Sequence, residues 1–328
     1  MSGQPCAIGV DLGGQSVKLA VVDGTGGVHL RSRSAVDATQ PAEAITRLLI
    51  DQITSLQARA TAEGLAPGSV GVVMPGYMDR LRTRILFAAN LPTLTGSNLL
   101  AQIRHGVELP VVFDADGNAA ALGEYRFGAG RGIDRLMVAV VGTGIGVGVM
   151  IDGQIVRVRN HTGGSLGHVI VDATGPVCGC GARGCVEARA SGRVLERRAA
   201  ELAAEEPGSR LAALRAERGQ LTGVEIGLAL GDDDRAAGRA VRECGWWLGV
   251  GVASWSAVYA PRKVLIGGGM AALGEPLLSA VRDGFREVGQ PLLTRGVVIE
   301  AAALGPDAGV IGAAAMAMSE QESDRRRD

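Results

Sequence analysis

Four side chains within eighteen residues carry the strongest chemical signal in the chain. In SLGHVIVDATGPVCGCGARGCVE, His168, Cys178, Cys180 and Cys185 supply one imidazole and three thiols, a full tetrahedral set for zinc. A complete set leaves no position for water or substrate, so such a zinc is structural. A disulfide is the competing reading, but an odd number of clustered cysteines strands one of them and a reducing compartment disfavours the bond. Three unrelated buried thiols is the plainer alternative. The remaining cysteines, Cys6 and Cys244, sit in apolar or helical surroundings and read as small core residues. His29, His105 and His161 read as surface or loop histidines, His161 lying near enough to the cluster to be watched.

Three glycine turns form a second set. DLGGQSVK (Asp11, Gly13, Gly14, Gln15, Lys18), VVGTGIGVG (Thr143, Gly144) and VLIGGGM (Gly267, Gly268) each place small residues just after a strand. Backbone N–H groups in such turns can face an anion, and three together suggest phosphates. Any one of them is equally explained as an ordinary hairpin turn. The dinucleotide fingerprint does not fit, because GVGVMIDGQIV continues as a strand where a helix is required, and no G-x-x-x-x-G-K-[ST] is present.

FDADGNAAALGE adds carboxylates at a strand end, with Asn118 at the head of a helix. Asp116 is suited to accept the proton of an alcohol attacking a nucleoside triphosphate, where positioning matters more than basicity. Asp11, beside its glycine turn, could hold the magnesium of that triphosphate. The alternatives are an N-capping Asp and a turn-forming Asp respectively.

These elements have to be positioned by a fold, and the sequence outlines one. AIGVDLGGQSVKLAVVDGTGGVHL reads as a three-stranded meander with turns at Gly13-Gly14 and Asp23-Gly24. Ile45, Leu48, Leu49, Ile53 and Leu56 fall at helical spacing, and SVGVVMPG is a short buried strand. Leu99 to His105 reads as a helix and VVFD as a strand leading into an alanine-rich helix. From Leu136 the opening pattern returns, and a shift of 129 places superposes Gly13 on Gly142 and Asp23-Gly24 on Asp152-Gly153. Two unrelated hairpins is the alternative to a duplication. The remainder is mostly helical, with a long apolar helix ended by Pro261, the strands in KVLIGGGM and VVIEAA, and a closing helix GVIGAAAMAM.

At 328 residues the chain exceeds one ordinary domain, so two α/β domains sharing a cleft are expected. The expected division is a small domain over 1–115, a larger one with the zinc motif over 116–305, a closing helix near 306–318 packed back on the first, and a polar tail over 319–328. A net charge of −1 leaves no basic field for nucleic acid or anionic lipid. No apolar run is long enough for a membrane span, and no leader pattern opens the chain, so a cytoplasmic protein acting on a small molecule is expected.

His168, Cys178, Cys180, Gly181, Gly184, Cys185 and Glu187 spell H-x9-C-x-C-G-x2-G-C-x-E without a gap. With DLGG, VVMPGYMD, AANLP, DADGNAAALGE, GTGIGVG, LGH, LIGGG and GVIGAAAMAM, essentially the whole chain resembles the ROK family of sugar kinases and repressors. The resemblance implies an actin-like, hexokinase-like fold and ATP-dependent phosphorylation of a hexose-like sugar, with magnesium, structural zinc and commonly a homodimer. It implies Asp116 as the base and phosphate loops at Gly13 to Lys18 and Gly142 to Gly146. Sugar contacts are implied at Gly76, Asn90, Asp116, His168 and Glu187. With one ring nitrogen on zinc, His168 would present the other to a sugar hydroxyl. Repressors of the family carry a helix-turn-helix domain ahead of the first phosphate loop, and with seven residues before Ile8 a kinase is expected here.

Three positions depart from the family pattern. Ala115 stands where Asn usually precedes the catalytic Asp, Ser165 stands where Glu usually lies three residues before the zinc histidine, and Leu94 stands where many relatives carry Trp. The two lost polar groups normally hydrogen-bond ring hydroxyls, and their loss costs glucose affinity roughly a few kcal/mol unless replaced. Water, Asp114 and Tyr77 could make up the contacts, or the pocket is rebuilt, Ser165 included, for an aminosugar or carbocyclic polyol. An ordinary glucokinase or N-acylhexosamine kinase is the alternative to the rebuilt pocket, and a non-catalytic sugar sensor is a third.

Overall fold

The computed structural model describes residues 5–79, 81–157 and 165–324. In chain order the strands are β1 (Cys6–Leu12), β2 (Ser16–Asp23), β3 (Val28–Ala35), β4 (Pro67–Met74), β5 (Tyr77–Met78), β6 (Ile85–Phe87), β7 (Val111–Ala115), β8 (Arg135–Val141), β9 (Ile145–Ile151), β10 (Gln154–Ile155), β11 (Lys263–Gly267) and β12 (Val298–Ala301). The helices are α1 (Ala42–Ala62), α2 (Leu99–Gly106), α3 (Asp116–Phe127), α4 (Val186–Ala190), α5 (Gly192–Glu205), α6 (Arg210–Arg218), α7 (Gly223–Gly231), α8 (Arg235–Tyr259), α9 (Glu275–Val288), α10 (Pro291–Thr294) and α11 (Ala308–Asp324).

Two five-stranded sheets share one plan. The first runs β3-β2-β1-β4-β7 and the second β10-β9-β8-β11-β12, in each case a meander read backwards and then two later strands. β1 pairs antiparallel with β2 and parallel with β4, and β4 is parallel to β7. In the second sheet β8 is parallel to β11 and β11 to β12. The sequence shift that superposes Gly13 on Gly142 carries Cys6–Leu12 onto Arg135–Val141, strand onto strand. The repeat in the sequence is thus a repeat of sheet topology. Its third strand is much shorter in the second copy, where Asp152 and Gly153 make a tight turn with both φ angles positive.

Side chains alternate across β1 because successive residues of a strand point to opposite faces. Ile8, Val10 and Leu12 join Ile45, Leu49, Ile53 and Leu56 of α1 in one core, all of them buried. Each such side chain contributes roughly 1.5–3 kcal/mol by leaving water. Ala7, Ala20 and Val22 face the other way, onto Val310, Ile311 and Ala314 of α11. There the backbones nearly touch: a Cβ on Gly71 would stand 1.9 Å from the Ala313 carbonyl oxygen. This approach explains the alanine- and glycine-rich closing helix, since larger residues would hold it off the sheet.

Ser319–Asp324, polar in sequence and expected to fray, continue α11. Their polarity belongs to a helix end, where Glu320 reaches Arg82 at 3.3 Å and Gln321 donates to the Gly68 carbonyl. Glu and Gln are good helix formers, so polar composition alone does not end a helix.

By internal contacts the chain divides into one unit of Met1–Gly132, Gly148–Gly164 and Leu304–Asp328, and another of Ile133–Val147 and Ser165–Ala303. In the second unit α8 packs along α9. Among the described residues no helix is long and apolar enough to cross a membrane.

Candidate active site

The expected site residues fall into two groups, one on each unit. In the first unit, Asp11 lies near the end of β1, directly opposite Lys18 in the β1–β2 ladder. Gly13 N–H donates to the Ser16 carbonyl at 2.9 Å, closing the turn, and the Gln15 carbonyl accepts from Val36 N–H at 3.0 Å. A Cβ on Gly14 would lie 3.0 Å from the Asn90 carbonyl oxygen, so the first phosphate-type turn is seated against the AANLP loop. Lys18 donates through Nζ to the Pro306 carbonyl at 3.2 Å.

Asp116 is the first residue of α3, and Ala115 holds the cap position with extended backbone and no side-chain cap. The N-cap alternative for Asp116 is therefore not what this helix uses. A carboxylate in a first turn is favoured by the helix dipole instead. Its Oδ1 accepts from Gly117 N–H at 2.7 Å. Asp11 and Asp116 sense each other: burial first, then the Asp116 charge, pushes the Asp11 carboxyl up to about 6, against the opposing pull of Lys18. Two neighbouring carboxylates with one lysine suit a divalent cation and a proton acceptor.

Gly76 has φ +136°, and a Cβ there would meet the Phe87 carbonyl oxygen at 2.5 Å. Tyr77 follows it in β5, its ring centroid 6.2 Å from that of Phe87 in β6. Leu94 is fully buried in the core of the unit. Asp114 does not fill the sugar-contact role suggested for it. Its Oδ1 accepts from Ala115 N–H at 2.8 Å and Asn118 Nδ2 at 2.7 Å, and its Oδ2 takes Arg157 Nε at 2.9 Å and Nη2 at 2.6 Å. With only 3% of its surface exposed, it is committed to the protein. Neither Arg157 nor Arg82, whose Nη2 lies 3.8 Å from the same oxygen, was expected here. The one available signal was Asp114 itself, since a carboxylate ending a buried strand calls for a cation.

In the second unit the four metal-type residues converge. Their ligand atoms all lie within 4.8 Å of one another, with His168 Nδ1 3.6 Å from Cys178 Sγ and Cys180 Sγ 3.7 Å from Cys185 Sγ. Zinc–sulfur bonds of about 2.3 Å at tetrahedral angles put sulfurs about 3.7 Å apart, so these residues fit a zinc ion. All five cysteines are free thiols. Burial, then neighbouring Cys180 and Cys178, pushes the Cys185 thiol up to about 12. Without a cation Cys178 and Cys185 hold their protons, and a dication would supply the counter-charge that thiolates require.

Nδ1 is the His168 nitrogen turned toward the cysteines, which leaves Nε2 outside the metal set. The ring follows the short helical turn Leu166–His168, where the Ser165 carbonyl accepts from His168 N–H at 3.0 Å. Trp255 Nε1 on α8 pins that turn by donating to the Leu166 carbonyl at 2.9 Å. Beyond it, Asp172 takes a short charged bond from Arg189, which stacks on Trp247 at 4.8 Å. His161 lies outside the described residues; His29 is paired with Asp23 at 2.7 Å.

Glu187 joins the zinc motif to the second glycine turn. Its Oε2 accepts from Ile145 N–H at 2.8 Å, and a Cβ on Gly144 would stand 2.5 Å from that oxygen. The Gly142 carbonyl accepts from Gly192 N–H at 2.7 Å, so the turn is gripped from α4 and from the start of α5, with Thr143 exposed at its tip. Gly267 ends β11, and Gly268, at φ +80°, comes so close to Val141 that a Cβ would lie 2.5 Å from its carbonyl oxygen. The second and third turns thus lie together at the carboxyl ends of parallel strands β8 and β11, where open α/β sheets bind ligands.

The ROK family profile matches residues 7–320. The chain belongs to the ROK family. A glucokinase of Streptomyces coelicolor is 34% identical over 94% of this chain and 96% of its own. Among solved structures, a ROK family glucokinase from Streptomyces griseus, in complex with glucose and AMPPNP, has TM-score 0.85 and 35% identity, covering 96% of this chain and 99% of that one. A ROK hexokinase from Thermus thermophilus has TM-score 0.74 and 29% identity, with 97% and 99% covered. The duplicated α/β plan of this ROK protein is accordingly the actin-like, hexokinase-like fold.

Proposed function

We propose that the chain is an ATP-dependent sugar kinase that phosphorylates a primary hydroxyl, of the 6-OH type, on a hexose-like substrate. The observation that carries this is the placement of Asp11 and Asp116 at the carboxyl ends of β1 and β7, parallel to β4 between them, with Asp11 beside the first glycine turn. Asp116 accepts the hydroxyl proton as the alcohol oxygen bonds to the γ-phosphorus and the bond to the ADP oxygen breaks. A carboxylate of ordinary basicity suffices, because the transition state is loose. The turns at Gly13–Gln15, Thr143–Gly144 and Gly267–Gly268 offer N–H groups to phosphate oxygens, with Lys18 as a nearby positive charge. Asp11 would hold magnesium, which neutralises phosphate charge when bound.

For the sugar, Gly76, Tyr77, Asn90, His168 Nε2, Ser165 and Glu187 are the proposed contacts. Zinc on His168, Cys178, Cys180 and Cys185 supplies orientation of the imidazole and no chemistry on the phosphate. Asp114 is taken up by Arg157 and Asn118, so one group that could stand in for the missing polar contacts is withdrawn. This favours a pocket rebuilt for an aminosugar or carbocyclic sugar. The second reading is an ordinary glucokinase, favoured by the likeness to the Streptomyces glucokinases. A homodimer is proposed for the assembly, to be checked by light scattering.

An ADP-release assay with ATP and magnesium against hexoses, N-acylhexosamines, aminosugars and cyclitols separates these readings. Strong preference for glucose would overturn the rebuilt pocket. Sugar binding with no turnover on any compound would mark a sensor and overturn the kinase. Asp116→Asn should lower kcat about 10²–10⁴-fold with the fold intact, and a near-normal rate would remove Asp116 from its role. Ala115→Asn with Ser165→Glu should raise kcat/KM for glucose about tenfold or more relative to the native substrate, because each restored group satisfies a ring hydroxyl. No gain would mean that the two positions do not set specificity.

A further inference from the structure

The buried charge behind Asp116 is arranged around Asp114, not around Asp116 itself. Ala115 N–H and Asn118 Nδ2 both donate to Asp114 Oδ1, at 2.8 and 2.7 Å, and these two donors bracket Asp116 in the chain. The other oxygen, Oδ2, is taken side-on by Arg157 at 2.6 and 2.9 Å. Arg157 comes from far along the chain, two residues past β10. Its hairpin lies along α3: a Cβ on Gly148 would meet the Gly117 carbonyl at 2.1 Å, and one on Gly153 would meet Tyr125 Oη at 3.1 Å. The hairpin is further closed by Val156 N–H donating to the Val149 carbonyl at 2.8 Å.

We propose that Arg157 is a positioning residue for Asp116, acting through Asp114. The proposal rests on the kinase reading above, in which Asp116 is the base. A buried carboxylate needs compensation, and two donors of the planar guanidinium converge on Oδ2, anchoring that oxygen while Ala115 N–H and Asn118 Nδ2 hold the other. Without Arg157, Oδ2 is left with Arg82 Nη2 at 3.8 Å, beyond hydrogen-bond distance. Arg82 has other commitments, donating through Nη1 to the Phe113 carbonyl at 2.9 Å and pairing with Glu320 at 3.3 Å. Asp114 must then rotate toward Arg82, which alters the two bonds that set the start of α3. Asp116 moves with them. The side chain of Arg157 is 31% exposed and that of Asp114 4%, so the arginine can be exchanged without opening the core.

The test compares wild type, Arg157→Gln, Arg157→Lys and the exposed-site control Arg262→Gln. Arg157→Gln should lose about 10–100-fold in kcat while KM for ATP and for the sugar stays within about twofold, as expected for a misplaced base in an otherwise formed site. Arg157→Lys should recover part of the loss, because it restores the charge without the fork. A kcat for Arg157→Gln within about twofold of wild type, or a loss no larger than the drop in folded fraction, overturns the proposal. Hydrogen exchange gives a second readout that needs no turnover. In Arg157→Gln the amides of Ala115 to Asn118 should exchange about tenfold faster or more, with the distal half of α3 unchanged. Equal exchange overturns the positioning role. Wild type without turnover on the whole panel overturns the kinase reading instead, and the exchange result then decides the role of Arg157 by itself.

Discussion

At the scale of residues, the site combines groups that are individually expensive to fold. Asp11 is the clearest case, with burial and Asp116 together raising its carboxyl to about 6. The folded chain therefore holds that proton more tightly than the unfolded chain does. The resulting stability is present below the unfolded value near 4 and is lost as pH rises through about 6. Above that range the ionised carboxylate costs the fold roughly 1–3 kcal/mol, after allowing for partial exposure. Asp11→Asn should consequently melt a few degrees higher than wild type at pH 8, with the gap narrowing toward pH 4.5, while turnover with magnesium and ATP falls steeply. Equal melting temperatures at pH 8 would show that the carboxylate is already compensated without a ligand. Residue chemistry was also what the sequence displayed best. The zinc set and the motif around Asp116 are local strings, whereas Arg157 meets Asp114 across 43 residues and leaves no mark at short range.

At the scale of elements, close backbone approach replaces side-chain bulk. Gly71 of β4 lies against the Ala313 carbonyl of α11, and a Cβ would have to occupy space 1.9 Å from that oxygen. Because the obstacle is helix backbone and not the end of a flexible side chain, relief requires α11 to shift along its length. Gly71→Ala should destabilise the chain by roughly 2–4 kcal/mol in urea unfolding, at the upper end of what overpacking costs. Gly208→Ala is the matched control, with no atom within 4 Å of its added methyl, and should change stability little. If both variants unfold alike, the contact is not tight in solution. The helix-end surprise at Ser319–Asp324 has the same origin. Glutamate and glutamine propagate a helix well, and docking of α11 on the sheet carries its last turns onward through Glu320 and Gln321.

At the scale of the molecule, the duplicated plan was legible because strand, turn and strand recur at a fixed offset, and a periodic signal survives without any alignment. What the sequence could not convey was that Glu187 ties the zinc motif to the second glycine turn. That tie is one hydrogen bond to Ile145 N–H from a residue 42 positions away. It gives the metal a reach beyond its own ligands. Zinc would fix Cys185, Cys185 is the N-cap of α4, α4 carries Glu187, and Glu187 holds the turn at Gly144. Removing zinc with a strong chelator should therefore deprotect the Ile145 amide together with residues 165–190 in hydrogen exchange. The strands β1 to β4, which contain no ligand of the cluster, should keep their protection. Lowering pH should release the metal by protonating the thiolates and reproduce the same pattern. Deprotection confined to 165–185, with Ile145 unchanged, would mean that the metal stabilises only its own loop and that the second phosphate-type turn stands without it.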